Sequence, residues 1–389
     1  MTAPTSHPAT GATPAAARRD PAAPYAHVPL DRVCVVMMSA VGDAVHVLPV
    51  LTALKRTAPA SRITWVLQGG PASLVRGHPA VDDIVPFDRR AGARGFRDVR
   101  RALRERATDA GGPFDLCLAL QVYLKGGLVT ALTPARVKLG FDRARARDLN
   151  WLVTTARIPA HPLQHVQDQY FEFLTALGVP HEPVVWDLGP WPHERAWQRE
   201  FLAQFDRPVA GVVVASSDPT RNWLPERLAA VCDALYEREG LQPVLLGGRS
   251  PTELAMEAEI RRAARHEPAS ALGTSLREMV AVLDGSALVV SPNSAGVHMS
   301  VALGRPVITL SGSWDPRRTG PYRRFHDLMV DTFVEPGDAP DRVLVEKRAD
   351  GRMARITVAD VLDRVAVWRA RYAGEALAHA AAVRAGRYA

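Results

Sequence analysis

Short apolar runs alternate with stretches of helical spacing along the first half of the chain. Residues 33–38 (Val-Cys-Val-Val-Met-Met) are apolar throughout, the mark of a strand buried on both faces. Further strands are predicted at 63–67, 83–87, 115–120 and 136–140. After the first strand, Val45, Leu48, Leu51 and Leu54 share one face of a helix over 44–57, in which Pro49 must occupy the first turn or kink the axis. Residues 121–132 leave the fourth strand as a helix, and 94–106, dense in arginine, read as a polar helix or loop. Val166, Tyr170, Phe173, Leu174 and Leu177 put one apolar face on a helix between 161 and 178.

The alternation resumes after a stretch marked by Pro180, Pro183, Pro190, Pro192 and Pro208 together with Trp186, Trp191 and Trp197. Strands are predicted at 209–215 and 242–246, and helices at 225–238, with Pro225 at its start, and 252–265. Ser275-Leu-Arg-Glu278 and Thr357-Val-Ala-Asp360 match capping boxes. Two last strands, 287–290 and 307–310, flank a polar turn and short helix over 291–304. Strand–helix alternation of this kind predicts an α/β protein with mostly parallel sheets. The expected division is a disordered leader over 1–28, an α/β domain over 29–185, a linker over 186–208, a second α/β domain over 209–350 and a C-terminal helix over 351–389 that packs back on the first domain. Two similar halves with a ligand cleft between them is the simplest architecture.

Composition narrows this picture little. A chain of 389 residues exceeds one core, and 47% hydrophobic with 23% charged residues is ordinary for a soluble globular protein. The leader lacks the apolar core of a secretory signal, and there is no apolar run of the roughly 18 residues that a spanning helix needs. Cys34, Cys117 and Cys232 are scattered, odd in number and set among apolar residues, which favours buried thiols in a reducing compartment over a zinc site or disulfide frame. The net charge of +7 points weakly to anionic partners, and an arginine- and alanine-rich codon usage explains it equally well.

The chemistry concentrates in the turns after strands. Asn293, Ser294 and Gly296 fall where a helix begins, so free N–H groups and the positive helix end make an anion site there, with His298 one turn in as a further donor. Gly42 allows close approach after the first strand, and Asp43 beside it is either a helix cap or a general base facing the cleft. This turn is not G-x-G-x-x-G and has no P-loop lysine, which disfavours a dinucleotide or NTPase site. Arg221 is either a bidentate phosphate ligand, with Ser216 and Ser217 donating to the same anion, or a solvated arginine. His46 reads equally as a packed helix residue or a ligand. Lys125, Arg143, Arg145 and Arg147 are solvated charges or a trap for an anionic acceptor. His161 and His165 have metal-compatible spacing, but Pro162 and the lack of a third ligand disfavour a metal.

Taken in series, these segments resemble glycosyltransferase family 9, the lipopolysaccharide heptosyltransferases. The resemblance is carried by 38–49, His78-Pro-Ala-Val-Asp82, 114–121 with Lys125, Gly140-Phe-Asp-Arg143 with 146–148, Arg221-Asn-Trp-Leu-Pro225, Asn293-Ser-Ala-Gly-Val-His298, 302–306 and Gly320-Pro-Tyr322. It implies a GT-B fold of two facing Rossmann-like domains, the first binding the acceptor and the second the nucleotide-sugar. It implies inverting, metal-independent transfer from a nucleotide-heptose, usually ADP-heptose, with no cofactor besides that co-substrate. Asp43 is then the base and Arg221, where the family usually has lysine, the partner of the leaving diphosphate. Ser294, Ala295, Gly296 and His298 cover the diphosphate turn, Thr274 the adenine side and Glu253 the ribose. Lys125, Arg143 and Arg147 are the acceptor-side cations. Asn293 stands where the family usually has an aspartate that contacts the donor sugar, which leaves another nucleotide-sugar open. The expected acceptor is a lipid-linked inner-core saccharide or a small natural product, and nucleic acid is not an expected partner. The expected location is the cytoplasm, with peripheral contact at the inner face of its membrane. A non-catalytic nucleotide-sugar-binding protein is the alternative of another class.

Overall fold

The computed structural model describes residues 17–335, 337–338, 344, 347 and 351–388. The first half runs β1 (Arg32–Val36), α1 (Val41–Thr57), β2 (Arg62–Leu67), α2 (Gly69–Val75), β3 (Asp83–Pro86), α3 (Ala93–Asp109), β4 (Phe114–Ala119), α4 (Leu124–Leu132), β5 (Ala135–Gly140), β6 (Ala156–Arg157) and α5 (Val166–Ala176). The second half runs α6 (Pro192–Ala203), β7 (Val209–Val213), α7 (Pro225–Arg238), β8 (Gln242–Leu246), α8 (Pro251–Ala263), β9 (Ala269–Ser270), α9 (Leu276–Asp284), β10 (Ser286–Pro292), α10 (Ala295–Ala302), β11 (Val307–Ser311), α11 (Pro316–Thr319), β12 (Val330–Asp331), α12 (Val358–Arg371) and α13 (Ala373–Arg384).

Each half builds one six-stranded sheet, in the orders β3-β2-β1-β4-β5-β6 and β12-β11-β10-β7-β8-β9. Every pairing among these strands is parallel. A parallel sheet is covered by helices on both faces, which is why β4, β7 and β10 are buried along their whole length. Val33, Val35, Leu116 and Leu118 pack on one face of the first sheet, while Cys34, Val36 and Cys117 pack with Val99 and Leu103 of α3 on the other. The strand order turns back between β1 and β4 in the first sheet and between β7 and β10 in the second. Ligands of open α/β sheets bind at such switch points, beyond the carboxyl ends of the strands.

The structure corrects three boundaries. Residues 1–16 of the expected leader lie outside the described residues, but 17–28 are folded against the first domain. Arg19 donates to the carbonyls of Leu177, Val28 and Tyr25, and the Asp20 N–H reaches Gly178 O at 2.8 Å. Gly178 has φ +69, and a Cβ there would lie 2.3 Å from Asp20 O, so the segment needs that glycine. The stretch expected as linker contains α6, whose Gln198 bonds Ala281 O and Asp284 of α9. The C-terminal helices pack on the second sheet rather than the first domain, because their apolar stripes meet it: Trp368 is buried and donates to Ala287 O at 3.0 Å. Pro49 lies inside α1, and the helix runs through it.

Candidate active site

α1 starts at Val41, earlier than its apolar spacing suggests, so Asp43 falls in the first turn with Oδ2 accepting the Ala40 N–H at 2.8 Å. The cap role is therefore real, and it does not exhaust the carboxylate. Asp43 keeps a little solvent contact, yet the protein closes around it. Burial raises its carboxyl above the ordinary aspartate range, opposed by the Ala40 N–H, by the cations Arg318 and Arg221, and by the Tyr170 hydroxyl. The Tyr170 phenol is itself pushed well above its usual value, by burial first and by the Asp43 charge second.

Facing this turn, β10 ends and α10 begins. Ser294 caps α10, its Oγ accepting the Gly296 N–H at 3.4 Å and lying 3.2 Å from Ser291 Oγ. A Cβ on Gly296 would sit 2.8 Å from Val213 Cγ2, so glycine is what lets the turn seat against β7. Asn293 is buried. Its Nδ2 donates to Thr319 Oγ1 at 3.2 Å, and its backbone carbonyl accepts from Arg221 Nη1 at 2.8 Å. Arg221 is a fixed cation: its guanidinium stacks 4.1 Å above Trp314, and Nε lies 3.7 Å from Asp218. Trp314 in turn donates to Asp218 Oδ2 at 2.8 Å. Among the described residues, Asn293 Oδ1, His298 Nδ1 and Arg221 Nε are buried without a hydrogen-bond partner. Three such atoms around one helix start leave hydrogen-bonding capacity directed at the α10 turn.

The two domains touch directly over this site. The rings of His46 (α1) and His298 (α10) are 4.3 Å apart, and His165 lies 5.6 Å from His46. His46 is thus a packed helix residue, its Nδ1 3.2 Å from Gln167 Oε1. Burial lowers His46 to about 3 and His165 to about 4, and takes His298 well below its usual value, so all three rings are neutral near pH 7. A Cβ on Gly42 would lie 2.9 Å from His298 Cδ2, so any side chain there must displace the ring.

The other expected residues are spread more widely. The Ser216 N–H donates to Asn222 Oδ1 at 2.7 Å, and Ser217 is exposed at the rim. Both carboxylate oxygens of Glu253 are engaged in its own helix cap, by the N–H groups of Gly248 at 2.7 Å and Ser250 at 3.0 Å. Thr274 Oγ1 donates to Ala271 O at 2.9 Å beyond β9. Lys125, Arg143 and Arg147 are exposed around α4. Arg145 instead turns inward to Asp142 and Glu172 and holds the loop. His165 Nε2 bonds Gly320 O at 3.1 Å while His161 is exposed, so the pair does not converge. Sequence reading missed Tyr170, taken only as an apolar-face residue, and Arg318, held by Gln164 O at 2.8 Å. The signal for Arg318 was the polar turn after β11, the same kind of strand-end position as Asp43 and Arg221.

Two parallel α/β domains whose switch points face each other, with the Asp43 carboxylate on one side and the α10 start on the other, form a GT-B fold. The chain belongs to glycosyltransferase family 9 (heptosyltransferase), whose sequence model matches residues 97–332. That range holds Arg221 and the 293–298 turn, while Asp43 precedes it. The chain is similar to the lipopolysaccharide core heptosyltransferase OpsX of Haemophilus influenzae, 26% identical over 303 residues, 78% of this chain and 84% of the relative. It is 29% identical over 300 residues to lipopolysaccharide heptosyltransferase 1 of Salmonella typhimurium, covering 75% of this chain and 91% of that one. Two solved structures share the fold. Glycosyl transferase family 9 from Veillonella parvula has a TM-score of 0.72 at 20% identity, covering 87% of this chain and 97% of that one. E. coli heptosyltransferase WaaC with ADP has a TM-score of 0.67 at 24% identity, covering 86% and 99%. Among the described residues no helix is long and apolar enough to cross a membrane.

Proposed function

We propose that this glycosyltransferase moves a heptose from ADP-heptose to a saccharide of the lipopolysaccharide inner core, by single inverting displacement and without a metal. The observation that carries the reading is the charge arrangement across the cleft: a carboxylate raised by burial, within the field of Arg221 and Arg318, opposite the α10 start. Further support comes from the names of its relatives and from the unpartnered polar atoms at Asn293, Arg221 and His298, which suit an anionic, hydroxyl-bearing donor.

In this mechanism the acceptor hydroxyl attacks the anomeric carbon while Asp43 takes its proton. The bond from that carbon to the diphosphate oxygen breaks, and its electron pair leaves with ADP. Arg221 and the N–H groups of the 294–296 turn meet the charge that develops there. Attack from the side opposite the leaving group inverts the anomeric centre. Lys125, Arg143 and Arg147 are assigned to a phosphorylated acceptor, and Glu253 and Thr274 to the nucleoside side. The reaction takes place on the cytoplasmic side, at the inner leaflet.

Incubating the purified protein with ADP-heptose, competing nucleotide-sugars and a de-acylated inner-core saccharide, with products read by mass spectrometry, tests the reading. Transfer of heptose is expected. Consumption of a different nucleotide-sugar with ADP-heptose untouched would overturn it in favour of a second reading, which Asn293 motivates. Its neutral amide, with Oδ1 unpartnered, suits a sugar hydroxyl pattern that does not call for a carboxylate.

A further inference from the structure

Five large apolar side chains stand in water on the acceptor side of the first domain. Tyr123 is 49% exposed, Leu124 53%, Leu128 44%, Leu149 63% and Leu152 60%. They come from two segments that the fold clamps together: the start of α4 and the turn at 148–153. The Leu124 N–H donates to Asp148 Oδ2 at 3.2 Å, and Asn150 Nδ2 donates to Gln121 O at 2.6 Å. A Cβ on Gly127 would lie 3.3 Å from the Asn150 side chain, so glycine admits the turn against the helix. Leu124 and Leu128 are one helical turn apart and share a face.

The turn holds its leucine outward at a cost. Asp148 and Leu149 have φ of 50 and 60, a left-handed conformation that a leucine seldom adopts. Burial does not compensate for it, because Leu149 is the most exposed of the five. Around the leucines lies a cationic and aromatic rim. Lys125, Arg143, Arg147 and Arg157 are all exposed. Arg143 stacks 4.5 Å above Trp151, and Arg147 lies 5.5 Å over Tyr123. The acids of the loop are already engaged, Asp142 with Arg145 and Asp148 with the α4 start.

The patch and the Asp43 turn are carried by neighbouring strands of one sheet. β4, which leads into α4, pairs with β1, which leads to Asp43.

We propose that this patch docks the enzyme on an anionic lipid bilayer surface. The leucines enter the boundary between headgroups and acyl chains, the aromatic rings sit at headgroup level, and the arginines and lysine meet lipid phosphates. A second copy of the chain fits less well, because a two-fold contact through this face would set its cations against each other. The proposal rests on the proposed function only for its purpose, bringing a lipid-linked saccharide to Asp43.

Co-sedimentation of the full chain with vesicles tests it. The chain is expected to bind vesicles of phosphatidylethanolamine with phosphatidylglycerol, to ignore phosphatidylcholine vesicles, and to release in high salt. The double substitution Leu149→Ser with Leu152→Ser should weaken binding about tenfold or more. Its thermal midpoint should hold, since both side chains are already in water. Leu254→Ser, a 37% exposed leucine on α8, should bind as the parent does. Absence of vesicle binding, or equal binding by the double variant, overturns the proposal. So does a dimer, seen by sedimentation velocity without vesicle binding, that the same substitutions dissociate. No nucleotide-sugar enters this assay, so its outcome is independent of which donor the enzyme uses.

Discussion

Acid should destabilise the fold through the histidines buried between the two domains. His46 is buried against His298 and His165, with Gln167 as its hydrogen-bond partner and Arg318 adding positive charge nearby. His298 also faces Arg221. Among the described residues no carboxylate offsets an imidazolium at His46, so burial keeps the ring near 3. In the unfolded chain it titrates near 6.5. The folded value is the lower one, so the unfolded state gains the proton first. The stabilisation is complete above about pH 6.5 and is lost as pH falls toward the folded value. At about pH 5 the deficit is about 1.5 units at 1.36 kcal/mol each, or roughly 2 kcal/mol for His46. His165, held at about 4 and in partial contact with solvent, adds somewhat less. Urea unfolding of the parent and of His46→Gln, between about pH 7 and about pH 5, measures this. Glutamine keeps a polar partner for Gln167 but cannot take the proton, so the variant should lose roughly 2 kcal/mol less than the parent over that range. Parallel loss in the two proteins would refute the reasoning.

Asp43→Ala should abolish turnover while calorimetric binding of the donor persists; turnover near the parent's would remove the proposed base. Because burial raises the Asp43 carboxyl, the acid limb of the parent's kcat profile should lie above the ordinary aspartate range, and a limb near about pH 4 would contradict that assignment. Arg221→Ala should lower kcat by about 10² and weaken donor binding, with Arg221→Lys recovering part of both; an unchanged rate would return Arg221 to a purely structural role. Gly42→Ala must displace the His298 ring, and should lower kcat/KM and loosen the α1–α10 contact, seen as faster hydrogen exchange at the start of α10. Unaltered exchange would show that the ring yields without consequence.

The sheets were legible in the chain because both are parallel and buried on both faces, which writes their strands as apolar runs such as 209–215 and 287–290. The caps were legible too: Ser275 with Glu278 and Thr357 with Asp360 close the reciprocal bonds that their spacing predicts. The turns at Asp43, Arg221 and Asn293 could be picked out because a polar turn at the carboxyl end of a buried strand is a local pattern. Short edge elements such as β6, β9 and β12 were not, since two residues carry no periodicity.

What lies opposite each turn depended on contacts between residues far apart in the chain. Arg143, Arg145 and Arg147 look alike in sequence, yet Arg145 alone meets Asp142 and Glu172 and turns inward. Tyr170 lies among apolar helix positions, and only docking of α5 against α1 brings it to Asp43. Arg221 was a surface arginine or a ligand until Trp314, Asp218 and the Asn293 carbonyl held it over the cleft. The sequence by itself determined two parallel α/β halves and the turns where chemistry could sit, because those follow from periodicity and backbone chemistry within one segment. Tertiary structure alone decided which cation faces which carboxylate and how far burial moves their proton affinities, because field and desolvation are set by neighbours that the chain supplies from elsewhere.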